Sequence, residues 1–245
     1  MLLSNLLENW WQTGLRVIAL IGLAKNVGKT TTLKALVAEV GNGLTLGLAS
    51  AGRDGEPVDL LTNLPKPRIV VPAGHLVATA ERALAVATGR FEPLERLAAL
   101  TPMGQVILAR CREAGRVELV GPATAAELQR VCRGLRAAGA QLVFVDGALD
   151  RRASGAPLVA DGIILVTGAA VSPALKQVVA RTRLAVELYR LPPAEAVLPP
   201  GTELPGEDLS EVAVLRPDGS WAPLALASAL GRSEELARAA RGAAA

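Results

Sequence analysis

The sequence predicts an α/β fold, a mostly parallel sheet with helices on both faces, and three observations predict it. Short runs of Val, Ile, Leu and Ala alternate with longer helical stretches over the first 190 residues. Hydrophobic residues make up 51% of the 245 but aromatics only 2%, so the core must be aliphatic, as in strands buried under helices on both sides. Three of the apolar runs end in polar, Gly- or Asp-containing segments, the places where such sheets build sites.

Arg16–Ile21 reads as the first strand, and Thr30–Glu39 as the helix after a glycine-containing loop. Leu44–Ala49 is the second strand and ends in Ser50-Ala51-Gly52-Arg53-Asp54-Gly55-Glu56. Arg68–Val71 and His75–Ala78 read as short strands around a Pro-Ala-Gly turn, with Thr79–Thr88 helical. Gly104–Arg110 and Arg116–Val120 read as two more strands. Thr124 with Glu127 three residues on is a capping box for a helix over Ala125–Ala138. Gln141–Val145 is a buried strand ending at Asp146, and Gly162–Thr167 is another. Ser172-Pro173 opens a helix that runs to about Arg190.

A Pro- and Gly-rich connector follows over Leu191–Glu207. Glu211–Arg216 and Gly219–Leu224, joined by Pro217-Asp218, predict a β-hairpin, and Ser233–Arg241 a last short helix. Residues 1–190 are therefore expected to form one α/β domain and residues 191–245 an appendage of connector, hairpin and short helix.

The net charge is +3 and the pI about 9.2, with small arginine groups at Arg130–Arg136, Arg151-Arg152 and Arg181–Arg183. These read as solvated helix faces and loop ends; a dense basic stripe with interleaved aromatics, the mark of a nucleic-acid binder, does not occur, so no nucleic-acid partner is expected. Cys111 and Cys132 lack metal-ligand spacing, and His75 is the only histidine, read as structural or surface. Residues 1–13 suit a short amphipathic helix, not a signal peptide, and no apolar run reaches the ~18–20 residues that span a bilayer. The expected location is cytoplasmic, with no membrane partner.

The strongest motif is Gly22-Leu23-Ala24-Lys25-Asn26-Val27-Gly28-Lys29-Thr30-Thr31, set between a strand and a helix. Backbone N–H groups in such a loop wrap phosphate oxygens, and the helix adds its positive N-terminal end. Gly22, Lys25, Asn26, Val27, Gly28, Lys29, Thr30 and Thr31 are the candidate phosphate-binding residues. Lys29 would neutralise the β/γ-phosphates, and the Thr30 hydroxyl would ligate Mg²⁺. This is a P-loop arrangement, with one departure: five residues rather than four separate Gly22 from Gly28, and Leu23 stands where the usual glycine would. The expected ligands are ATP and Mg²⁺; a guanine-reading Asn-Lys-x-Asp segment does not occur, which favours ATP over GTP.

Mg²⁺ takes oxygen ligands. Asp146, at the end of a buried strand, is the candidate metal-side carboxylate. Asp54, between glycines after the second strand, is the candidate for polarising the attacking water or holding metal through water. Lys29, Asp54 and Asp146 are thus the expected catalytic group, and Thr30, Asp54 and Asp146 the metal group. Arg53, Asp150 and Arg151 stand beside them, and Thr167-Gly168 would lie over base or ribose by topology.

The loop spacing resembles that of dethiobiotin synthetase and the cobyrinic acid amidating enzymes. Taken with Ser50–Asp59 (SAGRDGEPVD), Lys66–Ile69 (KPRI), Gly121-Pro122 and Asp146–Ser154 (DGALDRRAS), the chain resembles the smaller, P-loop subunit of the lysine 5,6-aminomutase reactivating factor. The resemblance spans roughly residues 15–190. It implies a P-loop ATPase whose hydrolysis is slow and partner-stimulated. It also implies two partners, the larger subunit of the factor and an adenosylcobalamin-dependent aminomutase acting on lysine or ornithine, from which damaged cobalamin is released. The Ser50–Asp59 and Asp146–Ser154 loops would be the nucleotide switches, and a homodimer across the nucleotide is a further expectation of this branch. The loop alone also admits an ATP-dependent ligase of the dethiobiotin synthetase type, or a scaffold that binds nucleotide without hydrolysing it.

Overall fold

A computed structural model of the chain describes residues 10, 12–41, 43–52, 68–147, 159–190, 198, 212–224 and 233–241. Its elements are β1 (Val17–Gly22), α1 (Lys29–Val40), β2 (Leu46–Ser50), β3 (Ile69–Val71), β4 (Leu76–Ala80), α2 (Glu81–Ala85), β5 (Arg90–Thr101), β6 (Gly104–Glu113), β7 (Gly115–Val117), α3 (Ala125–Ala137), β8 (Leu142–Gly147), β9 (Gly162–Val166) and α4 (Leu175–Tyr189). They are followed by β10 (Ala213–Leu215), β11 (Trp221–Pro223) and α5 (Ser233–Ala240). The main sheet has seven strands in the order β5-β6-β4-β2-β8-β1-β9. The strands from β4 to β9 run parallel, and β6 and β5 are antiparallel additions at one edge. The α/β class and the mostly parallel sheet agree with the sequence reading.

The aliphatic composition explains why helices cover both faces. On β1, Val17, Ala19 and Ile21 join one core with Leu128, Val131, Cys132 and Leu135 of α3. The alternate residues Ile18 and Leu20 join a second core with Leu33, Leu36, Val37 and Val40 of α1. Each such Leu, Ile or Val contributes about 1.5–3 kcal/mol on burial. The start of α3 read from sequence is in place, whereas α4 begins at Leu175, two residues beyond the expected first helical position Pro173. Thr124 Oγ1 accepts the Glu127 N–H at 3.3 Å and donates to the Glu127 carboxylate at 2.8 Å. Ser172 Oγ accepts the Ala174 N–H at 3.2 Å ahead of α4.

Three further expectations need correction. The strand expected over Arg116–Val120 is confined to Gly115–Val117. The helix expected over Thr79–Thr88 is confined to Glu81–Ala85, because Thr79 and Ala80 belong to β4. The buried Thr79 hydroxyl donates to Glu118 O at 2.7 Å and accepts the Val120 N–H at 3.0 Å, which fixes that strand end. Arg90–Thr101, read as no element, is a twelve-residue strand with register shifts against β6. Its Leu, Ala and Glu content favours a helix, so pairing with β6 overrides local propensity.

Two compact units divide the chain, Met1–Leu188 and Tyr189–Ala245. In the second, β10 and β11 pair antiparallel, and Asp218 Oδ1 in the turn accepts the Ser220 N–H at 2.9 Å. No helix among the described residues is long and apolar enough to cross a membrane.

His75 is 3% exposed and sits where β4 begins. Its Nδ1 accepts the Leu46 N–H at 3.2 Å, while its buried Nε2 has no hydrogen-bond partner among the described residues. Burial holds its pKa below the ordinary 6.5. The unfolded chain therefore binds the proton at a pH where the folded chain does not. Stability should be full above about pH 6.5 and fall as pH drops through that value toward the folded pKa, with a slope of at most ~1.4 kcal/mol per pH unit for one proton. Thermal melts from pH 7.5 to 5 should show a steeper loss in wild type than in His75→Gln; equal slopes would remove His75 from the account.

Candidate functional site

The loop from Gly22 to Gly28 leaves the carboxyl end of β1 and delivers the chain to α1. Its entry is tied down by the Leu23 N–H, which donates to Val166 O of β9 at 3.0 Å. Its crown is open: Lys25 and Asn26 are exposed, and Asn26 has φ +61. Gly28 has φ +97, a left-handed backbone that turns the chain into the helix and that residues with a Cβ adopt rarely. The first helical hydrogen bond runs from the Thr32 N–H to Gly28 O at 2.9 Å. Among the described residues no side chain caps α1, and its first turn has no acid, so the start of this twelve-residue helix suits an anion.

Lys29 does not extend into solvent from this helix start. Its stem folds back across the strand end: a Cβ built on Gly22 would lie 3.0 Å from Lys29 Cγ, 3.1 Å from its Cδ and 2.7 Å from Val27 Cγ2. Gly22 thus makes the room that brings Lys29 over the loop. Thr30 is half-buried beside it, and Thr31 is exposed on α1.

Asp146 is the penultimate residue of β8, the strand between β1 and β2, in register with Leu20 on one side and Ser50 on the other. Its backbone carbonyl accepts the Ala51 N–H at 2.9 Å and the Ser50 hydroxyl at 3.2 Å. Its Oδ1 is shielded from solvent and has no hydrogen-bond partner among the described residues. Burial pushes the Asp146 carboxyl up from the ordinary carboxylate value, and the Lys29 ammonium draws it partway back. Strand order therefore brings Lys29 and Asp146 into one electrostatic neighbourhood although they are far apart in sequence.

Asp54, Arg53, Asp150 and Arg151 lie outside the described residues, as do most of Ser50–Asp59 and Asp146–Ser154. Thr167-Gly168 falls beside the loop: a Cβ on Gly168 would be 3.7 Å from Val27 O. Gly121-Pro122, valued in the sequence only for the resemblance, has a geometric role that single-sequence reading could not show. The Gly52 N–H donates to Pro122 O at 2.6 Å, and Gly121 is packed directly against Ser50 O. The segment therefore supports the exit of β2, from which Asp54 follows.

No protein-family model, curated protein or solved structure matches this chain.

Proposed function

We propose that the chain is a P-loop nucleotide-binding protein that binds ATP with Mg²⁺ and hydrolyses it. The observation that carries this reading is Lys29 folded over Gly22 at the end of β1, beside the shielded Oδ1 of Asp146 near the end of β8, which has no hydrogen-bond partner among the described residues. A buried carboxylate oxygen without a donor is costly unless a ligand completes it. Mg²⁺ suits it, since this ion takes a few protein oxygens and keeps waters and phosphate oxygens for the rest. Thr30 and Asp146 would hold the metal, with Asp54 after β2 as the third candidate. Bound there, the ion would neutralise charge on the phosphates. The N–H groups of the loop and of the first turn of α1 would bind the phosphates, joined by the Lys29 ammonium, with Lys25, Asn26, Val27, Gly28 and Thr31 around them.

The narrower reading is that hydrolysis drives reactivation of an adenosylcobalamin-dependent aminomutase, together with a larger partner subunit. Its support is the resemblance through Gly22–Thr32, Ser50–Asp59 and Asp146–Ser154. Segments that follow β2 and β8 are the natural switches, because both leave the sheet at the nucleotide end.

Purified chain should hydrolyse Mg-ATP slowly, and faster with the larger subunit or the inactivated mutase. Lys29→Ala should lower that rate by at least on the order of a hundredfold while the far-ultraviolet circular dichroism is retained. Unchanged hydrolysis in the variant would sink the nucleotide reading. Hydrolysis by the complex with no recovery of a turnover-inactivated aminomutase would sink the reactivation reading alone.

A further inference from the structure

At the opposite end of the sheet, where β1 and β8 begin, a cleft of about 450 Å³ is lined by Arg16, Arg133, Arg136, Ala137, Ala140 and Gln141. We propose that this cleft is a second anion site, taking a small molecule with two or more carboxylate or phosphoryl groups. Among the described residues, three of the six that line it are arginines and none is acidic; Arg16 also donates from Nη1 to Leu15 O at 3.0 Å, so Arg133 and Arg136 are the principal anion donors. Guanidinium groups are planar forks that match carboxylate and phosphoryl oxygens in pairs. The cleft has the size of a small-ligand site.

Arg133 and Arg136 are not consumed by the fold. Neither has an ion-pair or hydrogen-bond partner for its side chain among the described residues. They are not needed to close α3 either. The Ala140 N–H donates to Leu135 O and the Gly139 N–H to Arg136 O, both at 3.0 Å, which satisfies the last turn from the backbone. The carbonyl that follows, Ala138 O, is taken by Arg110 Nη2 at 2.8 Å. Arg110 also places a positive charge at the end of α3, countering the negative helix end that would otherwise repel an anion. Gln141 is fixed by its Oε1, which accepts the Thr45 N–H at 2.8 Å, so its amide group remains as a donor.

The length of β1 separates this cleft from the phosphate loop, six residues or ~20 Å, so the two sites are chemically independent. A ligand here would act from the start of the same two strands whose far ends lead into the Gly22–Gly28 loop and carry Asp146. The proposal does not depend on the nucleotide reading.

The test uses the full chain carrying Lys29→Ala, so that the phosphate loop does not compete. Citrate and pyrophosphate are titrated separately by calorimetry at low ionic strength. At least one should bind at a single site in the low-millimolar range or tighter. Adding Arg133→Gln and Arg136→Gln should weaken it about tenfold or more with the melting temperature unchanged. Pyrophosphate binding alone identifies a phosphoryl ligand, and citrate binding alone a polycarboxylate. Absence of binding by both, or equal affinity with and without the two arginines, overturns the proposal.

Discussion

Asp146→Asn is expected to raise the melting temperature of the ligand-free chain and, in the same protein, to remove the Mg²⁺ dependence of nucleotide binding. The reason is the cost of the native residue. Asp146 keeps a carboxylate near the end of β8 with one oxygen shielded and without a hydrogen-bond partner among the described residues. Burial raises its pKa, and the Lys29 ammonium offsets only part of that. A group whose folded pKa exceeds its unfolded value favours the protonated folded state, so at neutral pH the ionised side chain works against folding. Asn has nearly the same shape and no charge. Its advantage should be full above the folded pKa and shrink to nothing as pH falls to the ordinary carboxylate value near 3.8. Melts at pH 7 and pH 4, with a Mg²⁺ titration of ATP binding at pH 7, measure both effects. A variant that is less stable at pH 7 would mean that Asp146 is a satisfied structural residue, and the metal assignment would fall with it. Instability tolerated in this way marks a site kept for its ligand.

Such a trade-off is only half legible in a sequence. The apolar run Gln141–Val145 announced a buried strand, and its composition fixed Asp146 at the end of it. That the strand lies between β1 and β2 is a matter of sheet order, and no local pattern carries it. The strand, loop and helix around Gly22–Thr30 were legible because the proposed phosphate chemistry is local: Gly28 and Lys29 must be adjacent, and a strand and a helix must flank them. What the loop did not show is that Gly22 leaves room for the Lys29 stem, a contact between residues seven apart. The long strand Arg90–Thr101 was missed because its residues favour helix and its partner β6 supplies the deciding hydrogen bonds. The arginines of α3 read as a solvated face; their meeting with Arg16 depends on how the helix crosses the starts of β1 and β8. Local chemistry was readable, and juxtaposition through the sheet was not.

Gly121→Ala tests that juxtaposition most severely. A Cβ at this position would lie 1.6 Å from Ser50 O and 2.8 Å from Ser50 C, both backbone atoms that no rotamer change can move aside. Either the Val120–Pro122 segment or the end of β2 must shift. Val120 is held by the Thr79 hydroxyl at its N–H and by the Ala80 N–H at its carbonyl. Ser50 is held by pairing with β8 and by its hydroxyl on Asp146 O. Neither side yields cheaply, so a loss of about 3 kcal/mol is expected, at the upper end for overpacking. Chemical denaturation should show it as a lower midpoint with an unchanged slope. The second consequence separates a site effect from plain instability. The shift would displace Gly52, whose N–H is held at 2.6 Å by Pro122 O, and with it the start of the segment bearing Asp54. At a temperature where the variant is still folded, the turnover rate for Mg-ATP should therefore fall more than nucleotide affinity, because the loop from Gly22 to Thr30 is untouched. Gly115→Ala provides the control: its Cβ would lie 1.7 Å from Thr88 O, an equally severe clash in the β3–β7 region. It should cost similar stability and leave turnover in the folded protein unchanged. Equal loss of turnover in both variants would mean that Gly121-Pro122 supports the fold and not the nucleotide end of β2.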